Sequence, residues 1–145
     1  MNSMEWFQYK INGMEVGEIA LLAVRAGAKN VPVLAVTGDK MAVLEAEELL
    51  GKENVSCASV KQGIGRNWAE CLPVQKAQGL IYKTLTEAVQ RVGKIRPYEP
   101  ALPAVLELTF YRSDFADNYR ERSGWERVNA RTIRKRVNSF WESMW

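Results

Sequence analysis

The sequence contains no histidine, and this absence restricts its chemistry more than any other feature of its composition. Without histidine, the chain alone cannot form a Ser-His-Asp or Cys-His catalytic site, nor a zinc site built on imidazole. Only two cysteines are present, Cys57 and Cys71, which are too few for an all-thiolate zinc cluster. We expect both to be free and mostly buried thiols. Catalysis by this chain alone would therefore depend on carboxylates, lysine, arginine, tyrosine or hydroxyl groups.

Long apolar runs are also missing from the sequence. No stretch approaches the roughly 18–20 apolar residues that span a bilayer, and the first ten residues lack the pattern of a signal peptide. The 145 residues are 47% hydrophobic and 26% charged, a balance that excludes disordered and low-complexity proteins. We therefore expect a single domain over residues 1–145, located in the cytoplasm and without a membrane partner.

The net charge of +3 comes from the C-terminal part of the chain. Residues 1–111 carry 12 basic and 12 acidic side chains, whereas residues 112–145 carry 8 basic and 5 acidic ones. The acids are interleaved with the arginines, which argues against a nucleic-acid surface. Trp125, Trp141 and Trp145 lie in the same segment, and tryptophan with arginine favours a subunit interface or a solvated face.

Hydrophobic patterning predicts that strands and helices alternate in the first part of the chain. The predicted elements are strand 6–11, helix 17–28, strand 31–36, helix 40–50, strand 55–60 and helix 73–92. The apolar run Val31–Val36 is typical of a parallel strand that is buried on both faces. Leu85 and Val92 fall on the predicted buried face of the last helix. Lys61–Arg66 is predicted to be a glycine-containing loop.

A proline-containing connector over 93–103 separates these elements from a different C-terminal pattern. The predicted elements there are strand 104–111, helix 113–122, strands 125–128 and 132–137, and a final helix that Asn138 caps. Together the two patterns predict an α/β fold with a mixed, largely parallel sheet, flanking helices and an antiparallel C-terminal part.

Glu18 is the first candidate for a functional side chain. It follows the Asn12-Gly13 turn and lies near the start of a predicted helix. An acid at this position can simply be stabilised by the helix dipole. Alternatively, it can act as a metal ligand or a general base.

The other candidates follow the ends of predicted strands. Asp39 is expected to cap a helix, and ligands in open α/β sheets also gather beyond the carboxyl ends of strands. Lys61 and Arg66 flank Gly63 and Gly65, whose N–H groups can hold a carboxylate or phosphate together with the two cations. The glycine spacing matches no established nucleotide loop, so an ordinary surface loop is the alternative.

Several motifs follow one another in a fixed order along the chain. They are Asn12-Gly13-x-x-Val16-Gly17-Glu18, Val31-Pro32-Val33, Thr37-Gly38-Asp39, Val60-Lys61-Gln62-x-Ile64-x-Arg66 and Cys71-Leu72-Pro73. As an ordered set they resemble the D-aminopeptidase family first met in bacterial dipeptide-permease operons. The resemblance extends over essentially the whole chain.

The resemblance implies a hydrolase that removes N-terminal D-residues from short peptides. It also implies a paired zinc site of carboxylates and histidines, and a ring-shaped homo-oligomer. Family members carry an N-terminal half with an Asp-x-Glu pair, the ligand histidines and a catalytic histidine just before the strand that matches residues 6–11. None of these positions exists here, so we expect this chain to be the C-terminal half only, starting at a methionine just past the missing histidine.

One metal ligand of the family carries over residue by residue, namely the Val-Gly-Glu glutamate, which is Glu18. The resemblance places Asp39, Lys61 and Arg66 beside the site, where they support the ligands or contact the substrate carboxylate. One carboxylate cannot hold a catalytic zinc ion, which uses about three protein ligands. We therefore expect the isolated chain to be inactive and to bind zinc weakly.

A missing N-terminal half, or a separate chain that supplies it, is therefore the expected partner. Self-association to cover an exposed sheet edge is also expected. The alternative is a non-catalytic, homo-oligomeric interaction module, which the absence of histidine favours. The sequence leaves open the exact peptide, the metal, the number of subunits and whether Met1 is the native start.

Overall fold

The computed structural model describes residues 4–119 and 124–141. In chain order, its elements are β1 (Trp6–Ile11), β2 (Met14–Glu15), α1 (Glu18–Gly27), β3 (Ala35–Asp39), α2 (Lys40–Leu50), β4 (Ser56–Gly65), β5 (Trp68–Cys71), α3 (Val74–Val89), β6 (Ala104–Phe110), α4 (Ser113–Asp117), β7 (Glu126–Arg127) and β8 (Thr132–Val137). They divide into two compact units: a terminal unit made of Met1–Ala28 with Glu99–Trp145, and an inserted unit, Lys29–Tyr98. The expectation of a single domain stays a prediction.

The terminal unit contains a five-stranded antiparallel sheet in the order β2-β1-β6-β8-β7. A tight turn joins β1 to β2, with Asn12 at φ 52° and Gly13 at φ 82°. Such left-handed backbone is tolerated best by Asn and Gly, as the sequence predicted. The side chain of Asn12 donates to Ala101 O at 3.0 Å and accepts from Val105 N at 2.8 Å, which links the turn to the start of β6.

The core of the terminal unit lies along one face of β6. Its side chains alternate between buried and half-buried from Ala104 to Phe110, which confirms the predicted alternation. Helix α1 contributes Ala23 and Val24, and β8 contributes Ile133, all nearly inaccessible to solvent.

The inserted unit contains a three-stranded sheet in the order β3-β4-β5. Strands β3 and β4 are parallel and α2 connects them, whereas β4 and β5 form an antiparallel hairpin. Helices α2 and α3 both pack against β4. The predicted α/β class, with flanking helices and an antiparallel C-terminal part, is confirmed. The expectation that the sheet is largely parallel is wrong: the described strands form two sheets, and of their pairings only that of β3 with β4 is parallel.

The prediction of a strand over 31–36 is wrong in position and in burial. The strand is Ala35–Asp39, and its residues are half-buried or exposed. Pro32 has no N–H to donate to a ladder, so pairing starts after it. Among the described strands, β3 pairs with β4 alone, and none of them pairs with its other edge.

The prediction of a loop over Lys61–Arg66 is also wrong. Strand β4 continues to Gly65, and Arg66 with Asn67 makes the turn to β5. The glycines of residues 61–66 had suggested a loop, but the pairing of β4 with β5 gives this segment the hydrogen bonds of a strand. The helix predicted over 73–92 ends earlier, at Val89, and the residues Leu85 and Val92, which were expected to be buried, are 44% and 61% exposed.

The C-terminal predictions are partly confirmed. Strand 132–137 is present as β8, and the strand predicted over 125–128 is shorter, as β7. Helix α4 begins at Ser113, with Asp114 in its first turn, and ends at Asp117. The rest of the predicted helix, through Arg122, lies partly outside the described residues. Residues 138–141 do not form the predicted final helix, and Trp145 lies outside the described part of the chain.

Candidate functional site

Glu18 is the first residue of α1 and is exposed. The preceding Gly17 has extended backbone and provides no side-chain cap. The buried Val16 donates its N–H to Tyr9 O at 2.9 Å, so the segment before the helix is fixed to β1. The structure therefore presents a carboxylate to solvent at the helix N-terminus, where the dipole favours its charge.

Glu18 is a single carboxylate and does not by itself complete a zinc site. Within residues 4–119 and 124–141, no three His, Cys, Asp or Glu side chains come together in a metal-binding group. The donor set of the described chain therefore does not fit a complete zinc centre.

Asp39 connects three elements of the inserted unit. It ends β3 and caps α2: its Oδ1 accepts from Met41 N at 2.9 Å. Its Oδ2 accepts from Gly63 N in β4 at 2.7 Å. These two backbone N–H groups, and to a lesser extent the charge of Lys61, hold the pKa of Asp39 below its ordinary value. The N-cap prediction is confirmed, and the bond to β4 is an additional role.

Lys61 lies directly beside Asp39 in the sheet. The two residues are paired in the parallel register of β3 and β4, after an irregularity between Gly38 and Asp39. On the other side of β4, Lys61 pairs with Cys71 of β5. The structure thus brings together Asp39 and Lys61, two of the predicted site residues.

A shallow pocket of about 300 Å³ opens beside Lys61. Its polar lining comes from Lys40, Ser59, Lys61, Gln62, Glu70 and Cys71. Sequence reasoning missed Lys40, Glu70 and Cys71 as neighbours of Lys61. Lys40 could have been found from the sequence, because it directly follows Asp39, which was already a candidate. Glu70 and Cys71 arrive only through the pairing of β5 with β4.

Arg66 lies at the exposed turn of the β4–β5 hairpin. The paired residues Asp39 and Lys61 lie at the other end of this hairpin, where β3 joins the sheet. Glu18 belongs to the terminal unit, whereas Asp39, Lys61 and Arg66 belong to the inserted unit.

The two cysteines are free, as expected, but they are not both buried. Cys57 is partly buried in β4, whereas Cys71 is exposed in β5. The expectation of mostly buried thiols is therefore wrong for Cys71. Strand β5 is the edge of its sheet, and its residues are exposed on both faces.

Several arginines of the C-terminal segment form ion pairs with the interleaved acids. Arg127 contacts Asp117 at 2.7 Å, and Arg134 contacts Glu126 at 2.8 Å. Arg112 pairs with Asp114. Arg120 and Arg122 lie outside the described residues. These pairs involve three of the six basic residues that the structure describes in this segment.

The chain is similar to known peptidases in sequence and in fold. The family model described as D-aminopeptidase matches residues 1–145, and the chain therefore belongs to the D-aminopeptidase family. A D-aminopeptidase from Bacillus subtilis (strain 168) is 42% identical over 102 residues, which are 70% of this chain and 36% of that protein.

A solved structure extends the similarity to the fold. It is that of the zinc-dependent D-aminopeptidase DppA from Bacillus subtilis, described as a self-compartmentalizing protease. The TM-score is 0.86 at 34% identity, over 95% of this chain and 50% of that chain. The chain thus spans about half the length of this solved relative. No helix in the described part of the chain is long and apolar enough to cross a membrane.

Proposed function

We propose that this chain forms part of a zinc-dependent D-aminopeptidase that removes N-terminal D-residues from short peptides. The observation that carries the proposal is the family match over residues 1–145. The resemblance of Val16-Gly17-Glu18 to the family's Val-Gly-Glu motif supports Glu18 as a ligand. In the complete enzyme, Glu18 would supply one ligand to zinc, and a partner segment would supply the others. The metal would provide Lewis-acid chemistry for hydrolysis of the peptide bond.

The first experiment tests whether the chain needs that partner segment. Zinc content and hydrolysis of D-alanyl peptides are measured for the chain alone, and then after mixing with the N-terminal half of the Bacillus subtilis relative. We expect weak zinc binding and no turnover alone, and both properties in the mixture. Stoichiometric tight zinc or turnover by the chain alone would contradict the proposal.

A matched pair of variants tests Glu18 as the ligand. In the mixture, Glu18→Gln should lose zinc and turnover because the amide is a poor zinc ligand. Glu15→Gln is the control, since Glu15 is an exposed acid three residues earlier that accepts a hydrogen bond from Gln8 at 2.7 Å. If both substitutions reduced zinc content and turnover equally, Glu18 would not be a specific metal ligand.

The pocket beside Lys61 is proposed to bind the carboxylate of the peptide substrate. Lys40 and Lys61 both line it and supply two positive charges against the single acid Glu70. Asp39 positions Lys61 by tying β3 to β4. Arg66 at the hairpin turn is proposed as a further contact to the substrate carboxylate.

Substrates with a neutral C-terminus test this role. In the reconstituted enzyme, Lys61→Gln should raise KM for a free-acid peptide about tenfold or more, because a charged hydrogen bond is lost. KM for the amidated peptide should change little. Lys76→Gln, at an exposed lysine of α3, is the control. The same KM change for both peptides would contradict carboxylate recognition.

The complete enzyme is proposed to be a cytoplasmic homo-oligomer. The solved relative is described as self-compartmentalizing, and the two free cysteines are typical of a reducing compartment. The alternative, a non-catalytic interaction module, is less well supported because the family model covers the whole chain. A stable homo-oligomer that gains neither zinc nor turnover with the N-terminal half would favour that alternative.

A further inference from the structure

The β4–β5 hairpin leaves its sheet as a two-stranded ribbon. The pairing of β3 with β4 ends at Lys61, and beyond this point β4 pairs with β5 alone. We call residues 62–71 the ribbon. An isolated two-stranded ribbon is marginally stable in water. This one also exposes large apolar side chains, with Trp68 at 75% and Ile64 at 61% exposure.

Helix α3 exposes a second apolar surface in the same unit. Tyr82, Leu85 and Val89 are 76%, 44% and 64% exposed. At 3.6 residues per turn they fall within an arc of about 60°. We call them the α3 stripe. The buried residues Thr84 and Ala88 lie on a neighbouring side of the helix, so the apolar surface of α3 is wider than its own sheet covers.

The neighbours of the α3 stripe are suited to contact with another chain. Gln78 and Thr86, one turn from its members, are uncharged. No atom lies within 4 Å of a Cβ built on the exposed Gly79, which leaves room for the backbone of a partner to approach closely. Protein interfaces are depleted of charge at their centre and enriched in Trp and Tyr.

We propose that the ribbon of one copy of this chain docks on the α3 stripe of a second copy. A buried aromatic side chain contributes about 150–250 Å², so Trp68 of one copy and Tyr82 of the other each supply roughly a fifth to a third of the ~800 Å² per partner that a stable complex buries. Contact between two ribbons would leave Tyr82 exposed, and contact between two helices would leave Trp68 exposed. When the ribbon of one copy docks on the α3 stripe of another, a single kind of contact covers both apolar surfaces.

Such a contact joins two different surfaces. Two copies can exchange it reciprocally in a two-fold dimer, or it can repeat from copy to copy and close into a larger ring or continue as a filament. The inference rests on the homo-oligomer of the proposed function and names its surfaces. Failure of the peptidase proposal would appear in zinc content and turnover, whereas failure of this inference would appear in molecular mass.

Two complementary variants of the full chain test the contact. The ribbon variant carries Ile64→Ser and Trp68→Ser and keeps the α3 stripe. The stripe variant carries Tyr82→Ser and Val89→Lys and keeps the ribbon. Val31→Ser is the control, because Val31 is 52% exposed in the same unit and belongs to neither surface. All substituted side chains are exposed, and circular dichroism checks that each variant is folded.

Molecular mass is measured by sedimentation for each protein and for the equimolar mixture. We expect the wild type and Val31→Ser to be oligomeric, and each of the two variants to dissociate at least tenfold more readily. Their mixture should form a one-to-one dimer and nothing larger, because it retains exactly one intact pair of surfaces. A variant that keeps the wild-type mass alone, or a mixture that stays monomeric, would overturn the proposal. A monomeric wild type at high concentration would also overturn it and assign both surfaces to another partner, such as the N-terminal half.

Discussion

At the scale of single residues, Asp39 holds the inserted unit together through its two carboxylate oxygens. One oxygen caps α2 through Met41 and the other binds Gly63 of β4. Asp39→Asn keeps one acceptor oxygen, whereas Asp39→Ala removes both. We expect the midpoint of urea unfolding to fall for Asn and to fall further for Ala. Glu99→Gln, at an exposed acid of the terminal unit, should leave it unchanged.

The same residue predicts a dependence of stability on pH. The pKa of Asp39 is lower in the folded protein than its ordinary value. Its contribution to stability is therefore fully present above the ordinary pKa of about 3.9 and is lost as pH falls through the folded pKa. Urea titrations should show the difference between wild type and Asp39→Asn shrinking over this acidic range. A constant difference would show that the charge of Asp39 is not involved.

The two cysteines should differ in reactivity. Burial and the nearby Glu47 carboxylate raise the pKa of the Cys57 thiol, whereas Cys71 is exposed on β5. The thiolate is the reactive form, so iodoacetamide at mildly alkaline pH should modify Cys71 well before Cys57. Peptide mass mapping gives the order, with Cys71→Ser and Cys57→Ser as single-thiol controls. Equal rates would contradict the burial of Cys57.

At the scale of elements, β6 is the central strand of the terminal sheet, between β1 and β8. Leu106 is fully buried, whereas its neighbour Val105 points to the other face and is only partly buried. Leu106→Ala should lower the free energy of unfolding by about 2–5 kcal/mol because it leaves a cavity. Val105→Ala, measured in the same denaturant titration, should cost clearly less. Similar losses would contradict the assigned faces of β6.

At the scale of the whole molecule, the two units differ in the size of the side chains that they bury. The largest fully buried side chains, which include Phe110, Leu106 and Ile133, all belong to the terminal unit. The buried positions of the inserted unit are mostly smaller, such as Ala46, Ala58 and Ala88.

We therefore expect the inserted unit to open more readily than the terminal unit. In native-state hydrogen exchange, amides of β6 and β8 should be protected longer than those of β4 and α3. The ribbon should exchange faster than β6, because the ribbon is paired on one side only, whereas β6 is paired on both sides. Uniform protection across both units would indicate that the chain unfolds as one cooperative body.

The sequence by itself determined the local elements whose signals are short in range. The Asn12-Gly13 turn, the Asp39 cap and the alternation along β6 were all readable, because each depends on neighbours a few residues apart. Only the tertiary structure decided where β3 begins, that β4 runs on into a ribbon, and that Lys40 and Cys71 share a pocket with Lys61. These features depend on pairing between distant segments, and a ladder partner can turn a glycine-containing stretch into a strand. The exposed stripe of α3 was likewise invisible in the sequence, because hydrophobic spacing marks an apolar face but does not show what covers it.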